Sequence, residues 1–204
     1  RKIVVTSGKG GVGKTTLTAS LGIAIAETGK KVVLVDADIG LNNLDVVLAV
    51  ENKVVYDVLD VISGKCRLKQ ALIQDVDNPT LYVLPSAKIQ DSPLITACSF
   101  RNVVDALALN FDFVIIDCPA GIDNGFHRAV SAATEAIVVT TPHISAVRDA
   151  DKVLSILSGY CLMSVGLVVN RVRGDMVSKG EMMSAGDIVR AIRCEPVGVI
   201  PEDD

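Results

Sequence analysis

The chain has 204 residues, half of them apolar but only 3% aromatic, and 20 Lys and Arg against 24 Asp and Glu give it a formal net charge of -4. That balance argues against a broad basic footprint for nucleic acid, no apolar stretch reaches the ~18 residues of a membrane-spanning helix, and five widely spaced cysteines without a CxxC pair supply no metal-ligand spacing or disulfide framework. One domain over residues 1–204 is expected, with a core of Val, Ile, Leu and Ala, the residues of buried parallel strands and their covering helices, and with reduced, mostly buried thiols.

The first predicted element is a strand near 2–6, and it runs into Gly8-Lys-Gly-Gly-Val-Gly-Lys-Thr-Thr16. Gly8, Gly13, Lys14 and Thr15 fill the spacing G-x-x-x-x-G-K-[ST] between a strand and a helix, the context in which that pattern binds phosphate. The glycines, with Val12 between them, let backbone N–H groups converge on phosphate oxygens, and the following helix adds partial positive charge at its N-terminus. Lys14 would neutralise β/γ-phosphate charge, and Thr15 would offer its hydroxyl to Mg2+. The helix is expected over about 14–27, with Leu17, Leu21, Ala24 and Ile25 on its apolar period and Gly29 as its stop.

A strand near 31–35 then ends in Asp36-Ala-Asp38, two carboxylates that alternation would send to one side. Both are candidate ligands of Mg2+ or of its waters, and Asp38 is the candidate for orienting the attacking water. After a strand near 81–84 and a helix near 99–109 comes Phe111-Asp-Phe-Val-Ile-Ile-Asp117, an apolar strand closing on a carboxylate, which fits a Walker B element holding a Mg2+-bound water. Gly121, four residues on, would let a backbone N–H approach the γ-phosphate. Cys118 has no base beside it in sequence and is read as structural. Strands near 112–116, 136–140, 164–170 and 197–200 alternate with helices near 145–158, where Ser145 is a credible N-cap, and 184–193. His127 and His143 are read as surface or capping residues. The pattern is βαβα throughout, which predicts a three-layer, doubly wound, mostly parallel α/β sheet. Ligands of such sheets bind beyond the strands' carboxyl ends, where Gly8–Thr16, Asp36, Asp38, Asp117 and Asn170 should meet.

No N/TKxD guanine-reading motif occurs. Instead Asn170-Arg171 closes one strand and Pro201-Glu202-Asp203 the next, and an Asn amide can both donate to and accept from an adenine edge.

The run KGGVGKTT resembles the deviant Walker A motif of the MinD/ParA family of ATPases. Segments 32–48, 54–73, 114–126, 136–154 and 197–203 resemble its MinD branch in particular, so the likeness covers nearly the whole chain. The resemblance implies a Mg2+-dependent ATPase cycling between ATP and ADP. It implies an ATP-bound sandwich dimer in which Lys9 reaches the partner's phosphates, with Lys14, Asp38 and Asp117 the other catalytic residues. Gly8, Gly10, Gly11, Val12, Gly13, Thr15 and Thr16 would contact the phosphates, Thr16 at the α-phosphate. Asn170, Arg171, Pro201, Glu202 and Asp203 would form the adenine pocket. Asn43 would lie at the dimer face, and Asp149 or Asp151 on the surface that responds to dimerisation and to partners. The implied partners are a MinC-like inhibitor and a MinE-like regulator. The implied location is cytoplasmic, peripheral on the inner face of the cell membrane through a C-terminal amphipathic helix.

Two departures stand out: Asn42 replaces an Arg common in the family, and the membrane-targeting helix would lie beyond Asp204. The absent initiating Met and the stop after a strand-like run are those expected of a trimmed chain. A ParA-type partition ATPase that coats DNA through Arg171, Arg173 and Lys179 is the main alternative, and a FlhG-like flagellar regulator is another. An iron–sulfur carrier of the Mrp type lacks its CxxC here, and a small-molecule kinase lacks an acceptor-binding constellation.

Overall fold

In a computed structural model that describes residues 1–40, 43–88 and 92–203, the chain forms a single sheet with helices on both faces. Its elements in order are β1 (Lys2–Thr6), α1 (Lys14–Glu27), β2 (Val32–Asp36), α2 (Leu44–Val47), α3 (Val58–Ile62), α4 (Leu68–Ala71), β3 (Ile73–Gln74), β4 (Leu81–Leu84), α5 (Ala97–Ala108), β5 (Phe113–Asp117), α6 (Asn124–Ala132), β6 (Glu135–Thr140), α7 (Ile144–Leu157), β7 (Ser164–Val172), α8 (Gly174–Ser178), α9 (Ala185–Ile192) and β8 (Glu195–Pro201). The strand order is β3-β4-β2-β5-β1-β6-β7-β8. Neighbours run parallel, except that the two-residue β3 pairs antiparallel with β4 at one edge.

Alternation along the strands divides the core between the two faces. Val32 and Leu34 of β2 join the cluster that holds Ala19 and Ala26 of α1. Val33 and Val35 join the cluster built from α5, α6, α7 and α9. The chain steps leftwards from β1 to β2 and β4 and then rightwards from β4 through β8. Right-handed crossovers therefore place α1 on one face and the later long helices on the other. The reversal opens a crevice at the carboxyl ends of β1 and its neighbours, the switch point where such sheets bind ligands.

Four local expectations give way to packing. Helix α1 turns a stripe of small residues, Thr18, Ala19, Gly22 and Ala26, to the sheet, while Leu17, Leu21 and Ile25 flank it and Ala24 is exposed. The cause is close approach: a Cβ on Gly22 would lie 2.6 Å from Leu34 Cδ2. Between β2 and β4 the alternation of strand and long helix breaks into α2, a 3-10 turn at Glu51–Lys53, α3, α4 and β3. Ser145 is not the cap of α7, because the helix begins at Ile144 and His143 takes the N-cap position without a side-chain cap bond. Of the five free cysteines only Cys118 is buried; Cys98 and Cys161 are exposed, and Cys66 and Cys194 lie between. Ser184 does cap α9, with its Oγ accepting from the Asp187 N–H at 3.1 Å. Among the described residues no helix is long and apolar enough to cross a membrane.

Candidate functional site: a nucleotide-binding loop and its carboxylates

The loop leaving β1 is held open by its glycines. Gly11 and Gly13 have φ of 77° and 95°, in the left-handed region that side chains resist. Gly8 seats the loop against α7: a Cβ there would stand 2.4 Å from the Asp149 carbonyl oxygen. Gly13 seats it against β7, where a Cβ would meet Asn170 Nδ2 at 2.4 Å. That same Nδ2 donates to the Val12 carbonyl at 2.9 Å, and the Ser7 hydroxyl donates to the Lys9 carbonyl at 2.7 Å. Among the described residues the amides of Lys9, Gly10, Gly11 and Gly13 find no protein acceptor, so a ring of donors is left for an anion at the α1 N-terminus. Lys14 is buried within this ring, with Thr15 beside it and Thr16 exposed.

Three carboxylates stand at the adjoining strand ends. Asp117 closes β5 in register with Asp36 of β2 and Val5 of β1. The Thr18 hydroxyl donates to Asp117 Oδ1 at 3.3 Å. Burial pushes the Asp117 pKa up to about 6, against the pull of the Thr15 hydroxyl, Lys14 and Thr18. Asp38 is half-buried, its pKa raised by burial and opposed by Lys14. Asp36 is almost wholly buried, and burial raises its pKa to about 7 although two amides oppose this. Its Oδ1 accepts from the Asp38 N–H at 2.9 Å and its Oδ2 from the Leu44 N–H at 3.2 Å. The strand ends at Asp36, so alternation does not carry on to Asp38; the first carboxylate instead ties down the loop that presents the second. Cys118 is fully buried and its thiol is pushed up to about 12, which makes it inert.

Asn170 and Arg171 lie where β7 departs from its register with β8. Arg171 has a φ of 59°, and its N–H donates to Asn170 Oδ1 at 3.0 Å. Pro201 pairs with Val172, and the Glu202 N–H donates to the Val172 carbonyl at 3.2 Å. A cleft of about 410 Å3 joins Lys9 through Val12 to Arg171 and Glu202, and its walls include Thr141, His143, Ser145 and Met182. Thr141 and Met182 carried no signal in the sequence, and His143 and Ser145 were read there only as surface or capping residues, because the fold alone brings the four to the loop. Lys9 Nζ lies 3.5 Å from Ser145 Oγ on α7. On the same helix Asp149 pairs with Lys152 at 3.5 Å, and Asp151 is exposed. Gly121 has a φ of 89° in the turn after β5, and Asn43 holds the N-cap position of α2 without a side-chain bond. Asn42 lies outside the described residues. Arg173, the centre of the basic patch read from the sequence, pairs with Asp175 at 3.3 Å. His127 is exposed on α6 and contacts the Tyr160 hydroxyl.

The donor set around Lys14 consists of hard oxygens: the Thr15 hydroxyl and the carboxylates of Asp117 and Asp38. Those suit Mg2+, which needs few protein ligands and keeps its waters, so the residues fit a magnesium–nucleotide complex. Such a loop between the first strand and helix, facing strand-end carboxylates, defines a P-loop nucleotide-binding protein, and the second lysine inside it matches the deviant Walker A motif that the sequence resembles.

A family model described as an AAA domain matches residues 1–159. The septum site-determining protein MinD of Synechocystis is 49% identical over 203 residues, all of this chain and 76% of that protein. Among solved structures, MinD in a MinC:MinD cell division complex from Aquifex aeolicus matches with a TM-score of 0.91 and 43% identity, over the whole chain and 82% of that one. MinD complexed with Mg-ADP from Pyrococcus horikoshii matches with a TM-score of 0.86 and 34% identity, over the whole chain and 82% of that one. The chain belongs to the MinD family, the septum-site-determining branch of the MinD/ParA ATPases.

Proposed function

We propose that this protein is a slow, Mg2+-dependent ATPase whose ATP-bound dimer is the signal that places the division site. The observation that carries this reading is the convergence of unpaired loop amides, buried Lys14, Thr15 and the carboxylates of Asp117 and Asp38 at the switch point of the sheet. In phosphoryl transfer the protein chiefly positions groups and spreads charge, and these residues are arranged to do both.

The amides of Gly8 to Gly13 and the first turn of α1, including Thr16, cradle the phosphates, and Lys14 neutralises the β and γ oxygens. Thr15 would hold Mg2+, with Asp117 engaging it through water, and the ion would supply charge neutralisation at the phosphoryl group. Asp38 orients the attacking water. Asp36 fixes the loop that carries Asp38, through the two amides its carboxylate accepts from. Gly121 offers its N–H towards the γ-phosphate, so loss of that phosphate is felt in the turn leading to α6. Asn170, Arg171 and Pro201 to Asp203 receive the adenine.

Lys9 acts across the dimer on the partner's nucleotide. The chain spans about three quarters of the Synechocystis relative, and a C-terminal amphipathic helix in the remaining length would bind the inner membrane surface weakly. Dimerisation doubles that weak attachment and so converts ATP binding into membrane residence. MinC-like and MinE-like proteins are the partners this reading assigns, the first supported by the Aquifex complex.

Titration calorimetry with Mg-ATP, followed by phosphate release without any added acceptor, tests the proposal. Heat on binding and multiple turnovers are expected; turnover that requires a metabolite as acceptor would replace the ATPase with a kinase.

A further inference from the structure

On the same rim as Asp38, a cleft of about 920 Å3 opens between the loop after β2 and the turn leading from β5 into α6, and Pro119, Ile122, Asp123, Gly125 and Arg128 line it. Among the described residues three charges of this cleft, Asp38, Asp123 and Arg128, form no ion pair. Asp123 takes the N-cap position of α6, yet its carboxylate makes no cap bond and, among the described residues, no ion pair. Arg128, on the next turn of α6, forms no ion pair either, and its Nε is enclosed without an acceptor. Its guanidinium lies over Gly125, with Nη2 3.6 Å from where a Cβ would stand on that residue. Partial burial lowers the Arg128 pKa, opposed by Cys118. Beside them Ile122 is an exposed large apolar residue at 45%. Among the described residues Asp123 and Arg128 form no ion pair with each other.

We infer that Asp123 and Arg128 are the two halves of a self-complementary contact between two copies of this chain, with Arg128 of each protomer taking the partner's Asp123 in the ATP-bound dimer. A two-fold axis requires one patch to serve as both donor and acceptor, because residue i then meets j and j meets i. A patch that carries an unpaired cation, Arg128, beside unpaired carboxylates, Asp123 and Asp38, can serve as both. An acidic partner of another kind, or a free phosphate, could neutralise Arg128 but would leave Asp123 without a counter-charge, whereas a second copy supplies a cation for it as well. The cleft also adjoins Asp38 and the turn after Asp117, so this contact would form on the face where nucleotide state is sensed. The inference rests on the dimer reading given above.

Asp123→Arg and Arg128→Glu, alone and combined, test it by sedimentation equilibrium with Mg-ATP. Each single reversal sets like charges together at two symmetric places, and the dimer dissociation constant is expected to rise on the order of tenfold or more. The combined reversal restores opposite charges and should return the constant to within about threefold of wild type. Calorimetry should give the same monomer affinity for ATP throughout, since neither side chain touches the phosphate loop.

Single reversals that dimerise like wild type, or a combined variant no better than the singles, overturn the inference while leaving the dimer itself intact. A wild-type chain that stays monomeric in Mg-ATP overturns the dimer reading and this contact with it. If a reversal fails to fold, Asp123→Asn and Arg128→Gln serve instead: both should flatten the salt dependence of dimerisation, and an unchanged salt dependence counts against the pair.

Discussion

Gly13→Ala probes the seat of the phosphate loop, and its cost follows from two separate contacts. At a φ of 95° and ψ of 22° an alanine sits in the left-handed region, at a penalty of roughly 1–2 kcal/mol. Its Cβ would also stand 2.4 Å from Asn170 Nδ2. That amide must then swing away from the Val12 carbonyl it bonds at 2.9 Å, losing about 1 kcal/mol. The single variant should therefore be destabilised by about 2–3 kcal/mol in urea unfolding. Asn170→Ala alone removes the hydrogen bond and should cost about 1 kcal/mol. In the combined variant the clash is gone but the backbone strain and the lost bond remain, so the total should again be about 2–3 kcal/mol, sub-additive by about 1 kcal/mol. Additivity within about 0.3 kcal/mol would refute the claim that Asn170 braces the loop through Gly13.

Lys9→Ala should abolish ATP-driven dimerisation while calorimetric ATP binding is largely kept, because Lys9 lies at the edge of the loop whereas Lys14 is buried in it; dimer populations equal to wild type would remove its role in trans. Asp38→Ala should leave dimerisation intact and slow phosphate release by about 10- to 1,000-fold, the scale for losing a positioning group, and unchanged turnover would exclude it from the mechanism. Glu135 is largely buried and accepts from Arg1 Nε at 2.9 Å and Nη2 at 2.6 Å, which holds its carboxyl below the usual range. A depressed folded pKa gives stability that is present above the unfolded value and lost as pH falls through the folded one. Glu135→Gln should therefore cost about 1 kcal/mol at pH 7, modest because Arg1 is half exposed, and nothing measurable once the carboxyl is protonated. A difference that widens towards acid pH would contradict this.

The phosphate loop and the strand-end carboxylates were legible because phosphate chemistry fixes both residue type and spacing: nothing but glycine suits Gly11 and Gly13, and Asp117 follows an apolar run that can be little other than a buried strand. The small-residue face of α1 was not legible, since the closeness of Gly22 to Leu34 is a property of two elements together. Helices of four and five residues such as α2 and α3 make too few turns to show a period. A serine at the second position of α7 looked like a cap because capping preference is a property of residue type, while the helix start was set by the chain leaving β6. The task of Asp36 was hidden for a different reason: its partners are backbone amides, which every residue carries and no sequence pattern marks. The same holds for Asp123 and Arg128, whose lack of partners becomes visible only when the fold has placed every other charge.

The central claim is that a triphosphate in the loop between β1 and α1 joins two copies of this chain. Multi-angle light scattering of the hydrolysis-slowed Asp38→Ala protein, with Mg-ATP and with Mg-ADP, measures this most directly. The account predicts twice the monomer mass with ATP and the monomer mass with ADP. A monomer mass with both nucleotides, at concentrations where calorimetry finds the site saturated, would contradict it.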